Sequence, residues 1–254
     1  MKNILFLGAK PIGEKAFHHL LHNLDKKQYY IRCVSSNQYK ESSWWGTNKI
    51  YLTAQDLNLD FVPMEKRNFN SLKEKIAQYQ IDMILAVGYN WILPESVLKM
   101  VNYKAINLHN AKLPDYKGYN ASNMCILNEE KFYTSTLHWM AEEVDSGSLI
   151  LEREFRIPKN IVAKDLYQIA QDNAVELVKD FIKILNGPEE ILSKTLEGEG
   201  CFYPRNTINK KEIVSGDTLQ GMALKARAFH FPNFEPAYFV VDEEKYFVIP
   251  AKGK

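Results

Sequence analysis

The chain has 254 residues, 46% apolar and 12% aromatic, enough to bury a substantial core in one main domain with a smaller appendage. Its 32 basic and 31 acidic side chains leave a formal charge of +1. With no surplus of positive charge to neutralise a long run of phosphates, a small anionic ligand suits this balance better than a large nucleic acid.

Met1 leads directly into Asn3-Ile4-Leu5-Phe6-Leu7-Gly8, a strand-like run. No apolar stretch reaches membrane length or precedes a small-residue cleavage site, so the expectation is a soluble cytoplasmic protein. Apolar runs at 4–7, 31–35, 61–64, 81–87 and 105–108 read as strands. Helical patterns lie between them at 16–24, 71–79 and 94–100, the last with Pro94 in its first turn, where a missing N–H costs least. Near-continuous apolar strands separated by helices predict an α/β fold: a Rossmann-like, mostly parallel sheet with helices on both faces. Ligands of such sheets bind beyond the carboxyl ends of the strands. Gly8-Ala9-Lys10-Pro11-Ile12-Gly13 is a strand-to-helix turn that could seat an anion. It lacks the dinucleotide Gly-x-Gly-x-x-Gly pattern and the Walker lysine, so a plain tight turn is the simpler reading.

Further on, the pattern predicts a helix over 121–127 and two extended stretches, 134–140 and 149–157, with Asp145, Ser146 and Gly147 in the turn between them. Leu166, Ile169, Ala170, Ala174, Leu177, Val178, Phe181 and Leu185 then share one helical face. Asn186-Gly187-Pro188 is expected to stop that helix by left-handed capping and a residue that cannot continue it. The domain boundary is placed there, giving a main domain over 1–187 and a small accessory region over 188–254. In the latter, Asp217 and Gln220 resemble a capping pair opening a helix to about residue 228. Segments 238–241 and 245–249 read as a β-hairpin around Asp242-Glu243-Glu244. A lone hairpin is marginal in water and little chain remains to cover this one, so it is predicted to pair across a homodimer interface.

The chemistry-bearing residues cluster in Ile106-Asn107-Leu108-His109 and Val144-Asp145-Ser146-Gly147. Residues two apart on a strand share a face, so Asn107 and His109 project together at a strand end. An isolated Asn-x-His is more simply a solvated strand end, and Asp145 before Ser-Gly is equally a turn residue bonding its own backbone. Tyr89 and Trp91 either line a pocket or belong to the core, and Trp44 and Trp45 either cover a cleft or pack ordinarily. His138, in an apolar extended run, reads as a satisfied structural histidine. Cys33, Cys125 and Cys201 are odd in number and far apart, without metal-binding spacing, which argues against a disulfide framework and structural zinc.

Taken in order, Asn107-x-His109, then Leu113-Pro114-Asp115-Tyr116-Lys117-Gly118, then His138-x-Met140 running to Asp145-x-Gly147 resembles the folate-dependent formyltransferases. That superfamily includes methionyl-tRNA, glycinamide ribonucleotide and nucleotide-sugar N-formyltransferases, and the resemblance spans roughly residues 1–185. It implies Asn107, His109 and Asp145 as the catalytic trio and 10-formyltetrahydrofolate as the formyl donor, with no metal. It implies Gly88, Tyr89, Trp91, Ile92, Leu93 and Leu113 around that donor, held largely by backbone groups. Lys10, Lys112, Asn120 and Arg227 are the candidate acceptor contacts, Arg227 either there or against the main domain.

Where methionyl-tRNA enzymes continue the His motif with Ser-Leu-Leu-Pro, this chain reads Asn110-Ala111-Lys112-Leu113-Pro114, the looser pattern of sugar-modifying members. Only 27 residues follow Arg227, too few for the additional barrel of the tRNA enzymes. The resemblance therefore points to a dTDP-linked amino-deoxysugar, in O-antigen or lipopolysaccharide synthesis. Glycinamide ribonucleotide and methionyl-tRNA remain enzymatic alternatives, and a non-catalytic folate- or nucleotide-sugar-binding protein is the alternative outside enzymes.

The trio suits amine formylation in its own right. An amine attacking a formyl carbon generates an oxyanion, for which Asn107 can supply a neutral N–H. His109 can take the proton the amine loses, and Asp145 can orient the imidazole and favour its charged form.

Overall fold

The computed structural model describes residues 1–36, 49–64 and 69–251. In chain order the main elements are β1 (Lys2–Gly8), α1 (Lys10–Asn23), β2 (Tyr29–Ser36), α2 (Lys49–Asp56), β3 (Asp60–Pro63), α3 (Asn70–Gln78), β4 (Met83–Val87), α4 (Glu95–Leu98), β5 (Ala105–His109) and β6 (Lys117–Gly118). They continue with α5 (Ala121–Leu127), β7 (Phe132–Trp139), β8 (Leu149–Arg156), α6 (Ala163–Asn186), β9 (Phe202–Tyr203), α7 (Leu219–Ala228), β10 (Ala237–Val241) and β11 (Glu244–Val248).

Seven strands form one sheet in the order β3-β2-β1-β4-β5-β7-β8. The pairings from β3 to β5 are parallel, and β7 and β8 extend the sheet antiparallel. Helices cover both faces, which is why the central strand does not alternate: Ile4, Leu5, Phe6 and Leu7 are all fully buried. Phe17 and Leu20 of α1 and Phe181 and Leu185 of α6 pack with Ile4, Phe6 and Leu85 on one side. Leu72 and Ile76 of α3 and Val97 and Leu98 of α4 pack with Leu5, Leu7 and Ile84 on the other. A third cluster joins α5 and the start of α6 to Ala228 and Phe229 at the end of α7, tying the C-terminal region to the main body.

Strand order reverses between β1 and β4, opening a crevice beyond their carboxyl ends. The Ala9 N–H donates to the Val87 carbonyl at 3.2 Å across this point, so the β1–α1 turn and the segment after β4 share one rim.

Several local expectations change. Helix α1 begins at Lys10 rather than residue 16, with Pro11 in its first turn. Helix α2 had no sequence counterpart, because its buried residues are just Ile50 and Ala54, too few to show a period. The end of α6 is not a left-handed cap: Gly187 has φ −77° and ψ 169°. Pro188 accounts for this, since proline drives the preceding residue out of helical geometry into an extended one. Helix α7 is capped by Thr218, whose hydroxyl accepts the Gly221 N–H at 3.0 Å. Asp217 instead accepts the Val214 N–H and pairs with Lys225, and Gln220 reaches out to Glu129. Strands β10 and β11 form a separate antiparallel pair joined by Asp242-Glu243, with left-handed φ of 49° and 67°, the geometry of tight hairpin turns. No helix among the described residues is long and apolar enough to cross a membrane.

Candidate active site

The crevice is a cleft of about 440 Å³. Asn107 and His109, from the end of β5, and Asp145, from the loop after β7, all line it. The β5–β7 register sets Asn107 directly opposite His138. The chain then turns back so sharply that a Cβ on Gly147 would lie 1.8 Å from the Trp139 carbonyl oxygen, which is why this turn needs glycine after Ser146. That turn holds Asp145 in the left-handed region at φ 55°.

Asp145 sits between two imidazoles. Its Oδ2 accepts the Gly118 N–H at 2.9 Å and lies 3.4 Å from His109 Nδ1. Its Oδ1 lies 3.4 Å from Asn107 Nδ2 and 3.5 Å from His138 Nε2. Burial by itself would push this carboxyl up, but the charge of His109, the Gly118 N–H and the charge of His138 together hold it at about 2. It is a permanent anion, with a side chain only 8% exposed.

The two imidazoles are fixed by carbonyl oxygens, which can only accept. His109 Nε2 meets the Tyr116 carbonyl at 2.7 Å, so its proton resides there and Nδ1 is the basic atom. The 3.4 Å from Nδ1 to Asp145 is longer than an ordinary hydrogen bond, leaving Nδ1 able to take a proton with a carboxylate beside it to balance the charge. His138 Nδ1 donates to the Trp139 carbonyl at 2.8 Å, so its Nε2 lone pair receives the Asn107 amide at 3.2 Å. That contact fixes which end of Asn107 is nitrogen. A developing oxyanion in the cleft is a stronger acceptor than an imidazole at this distance, so the amide is held ready rather than consumed. The sequence reading of His138 as satisfied agrees with its burial, but its partners are the trio itself.

Among the other sequence candidates, Gly88, Tyr89, Trp91, Ile92 and Leu93 line the cleft with Leu98 and Met140. This is a largely apolar surface suited to a flat ring system. Lys10 and Asn120 also line the cleft. Lys112, Leu113 and Arg227 are not among the lining residues: Lys112 pairs with Asp115 at 2.9 Å, and Leu113 is buried. Trp44 and Trp45 lie outside the described residues.

Sequence reasoning missed other lining residues, including Tyr167, Gln171, Lys211 and Phe234. Gln171 had a detectable signal, as a polar residue on the buried stripe of α6; its Oε1 is buried without a partner. Lys10 is also unusual. Burial and then the nearby Arg205 charge bring its ammonium down to about 8. The Arg205 guanidinium lies over the Tyr119 ring at 4.9 Å, and Asn120 Nδ2 donates to the Arg205 carbonyl at 3.2 Å.

Residues 3–182 match the family model described as Formyl transferase. The chain is a member of the formyl transferase family. The methionyl-tRNA formyltransferase of Clostridium perfringens is 31% identical over 157 residues, covering 62% of this chain and 50% of the relative. This family member thus spans about half the length of that curated relative. Two solved structures have the same fold. A 4-N formyltransferase from Francisella tularensis aligns with a TM-score of 0.77 at 21% identity, covering 100% of this chain and 98% of the other. An N-formyltransferase from Helicobacter canadensis, in complex with folinic acid and dTDP-3-aminofucose, aligns with a TM-score of 0.73 at 23% identity, covering 96% and 86%.

The depressed carboxyl of this formyltransferase gives a stability test. A group whose folded value lies below its ordinary one stabilises the fold above about pH 4, and that contribution is lost as the pH falls toward 2. Asp145→Asn is expected to lower stability by about 2 kcal/mol at pH 7 in urea titrations, with the gap to wild type closing between about pH 4 and pH 2.

Proposed function

We propose that this chain transfers the formyl group of 10-formyltetrahydrofolate to the amine of a nucleotide-linked amino-deoxysugar, with dTDP as the nucleotide. Asn107, His109 and Asp145 carry the chemistry. As the amine nitrogen attacks the formyl carbon, the Asn107 N–H faces the oxygen that gains charge, and His109 Nδ1 takes the proton the nitrogen loses. Asp145 balances the imidazolium so formed. Collapse of the tetrahedral centre breaks the bond to the folate nitrogen, and the proton on His109 returns to that leaving nitrogen. The folate supplies the one-carbon unit, and the largely apolar lining from Tyr89 to Leu93 is the surface for its ring system.

The observation that carries the acceptor reading is the cationic part of the cleft. Neither Lys10 nor Arg205 has a carboxylate partner among the described residues. Like charges repel, so two neighbouring cations without a counter-ion, the half-buried Lys10 at the start of α1 and the exposed Arg205, suit an anionic ligand such as a diphosphate. The dTDP-3-aminofucose held by the Helicobacter canadensis relative has that chemistry. A competitive assay decides between acceptors: purified protein with 10-formyltetrahydrofolate and, separately, dTDP-linked 3- and 4-amino-deoxysugars, glycinamide ribonucleotide and methionyl-tRNA. Turnover is expected on a dTDP-amino-sugar, and alanine at Asn107, His109 or Asp145 is expected to lower it by ~10²-fold or more. Formylation of glycinamide ribonucleotide or methionyl-tRNA alone would replace this reading.

The Lys10 cation has a signed pH dependence. Its folded value of about 8 lies below the ordinary lysine range, so holding it charged costs stability below pH 8, and the cost fades toward pH 10.5. Lys10→Met is therefore expected to raise the melting temperature at pH 7 while raising the acceptor KM by about tenfold or more. In wild type, acceptor KM should climb as pH passes 8 and the ammonium discharges.

The hairpin supports a homodimer. Phe239, Val240, Val241, Tyr246 and Phe247 are each 38–54% exposed on a two-stranded sheet too small to be stable unaided. A second copy of the chain covers them in this reading. Sedimentation equilibrium is expected to show a dimer, converted to monomer by Phe247→Glu; a wild-type monomer at all concentrations would remove the interface.

A further inference from the structure

We infer that strand β9 is a positioning element of the active site, and that Tyr203 acts through it on His109 and Asp145. This rests on the trio being the reacting groups. Both are oriented from one loop: His109 by the Tyr116 carbonyl at 2.7 Å and Asp145 by the Gly118 N–H at 2.9 Å. That loop, 112–120, belongs to no strand of the main sheet, so something must hold its two backbone groups in place.

The chain returning from α6 does so. Lys117 pairs with Phe202 and Gly118 with Tyr203 in a two-stranded parallel sheet of their own. The Lys117 N–H donates to the Cys201 carbonyl at 2.9 Å, the Tyr119 N–H to the Tyr203 carbonyl at 2.8 Å, and the Cys201 N–H to the Pro114 carbonyl at 3.2 Å. The approach is so close that a Cβ on Gly118, at φ 90°, would lie 2.5 Å from the Tyr203 carbonyl oxygen. Side chains repeat the contact. The Tyr203 ring stacks on Tyr116 at 5.4 Å with 11° between planes, and Asn128 Nδ2 bridges the two hydroxyls at 3.1 and 3.2 Å. Tyr116 is further held by its hydroxyl donating to Glu130 at 2.6 Å. The residue whose carbonyl fixes the His109 tautomer is thus clamped through Lys117 after it, through Pro114 two positions before it, and through its ring.

A misplacement of about 1 Å at such a group is enough to cost turnover by an order of magnitude or more. Removing the Tyr203 ring frees one side of the clamp without touching a reacting atom. Tyr203→Ala is expected to lower kcat about tenfold with both KM values changed by less than about threefold, whereas Tyr203→Phe, which keeps the stack, stays within about twofold. A remote core variant, Ile182→Val, controls for lost stability and should keep wild-type kcat below its melting temperature.

A second readout needs no acceptor. The ¹⁵N resonances of the His109 imidazole in the ligand-free protein should move in Tyr203→Ala and remain in place in Tyr203→Phe and Ile182→Val. Unmoved His109 resonances in Tyr203→Ala, or an equal loss of kcat in all three variants, would overturn the positioning role. If wild type formylates no nucleotide amino-sugar, the acceptor reading falls, and the imidazole resonances still decide this one.

Discussion

The site is organised around one buried anion. Asp145 touches the backbone of a distant loop, two imidazoles and an amide, and each contact fixes a different partner. Remove the charge and His109 loses the group that balances its proton, Asn107 loses one of two acceptors that orient it, and Gly118 is left with an unpaired N–H. A carboxylate is tolerated here because the Gly118 N–H and the Asn107 amide donate to it and two ionisable rings flank it; one ion pair in the same place would be close to break-even. The fold supplies these groups from β5, β7, the turn after β7 and the loop after β5, so the site cannot be assembled before the antiparallel extension of the sheet is in place.

Much of this was legible from residues alone, for identifiable reasons. The strands of the doubly covered sheet are continuous apolar runs, and Asn107 and His109 are two apart on one of them, so their common direction follows from strand geometry. What sequence periodicity does not carry is register between strands. The pairing of Asn107 with His138 depends on where β7 turns back, and that is decided by the close approach of Gly147 to Trp139. Capping failed similarly. Asp217 and Thr218 are both good caps, and the choice went to Thr218 because Asp217 was already committed to Lys225 and Val214. Lys10 was visible as a residue at a helix start, but its partner Arg205 is nearly 200 positions away and no local pattern connects them.

The parts of the cleft differ in how complete they are. Around Asn107, His109 and Asp145 nearly every polar group has a partner, each identified by whether it can donate or only accept. Elsewhere in the lining the balance is unfinished: among the described residues a half-buried lysine lies beside an arginine with no carboxylate between them, and the Tyr89 hydroxyl and Gln171 carbonyl oxygen are buried without a hydrogen-bond partner. Local sequence and packing rules are broken where a protein binds something, because the missing partner belongs to the ligand. The Asn107–His109–Asp145 cluster is therefore self-consistent without a ligand, whereas the unpartnered groups of the lining recover their energetic cost only on binding.

Relatives whose names give different acceptors share this fold. The matching sequence covers the β-strands and turns that carry the trio, and it is shared with an enzyme whose name gives methionyl-tRNA as acceptor. Structural alignment over nearly the whole chain is found both with N-formyltransferases, one of them in complex with dTDP-3-aminofucose, and with a methionyl-tRNA formyltransferase from Clostridium thermocellum. The last 60 or so residues supply Lys211, Phe231 and Phe234 to the cleft lining and place Arg205 beside Lys10. Because β9 in the same region pairs with the loop that orients His109 and Asp145, a change in that region is constrained to preserve the short pairing. The cleft lining can then diverge around a fixed arrangement of Asn107, His109 and Asp145 only as far as that strand allows.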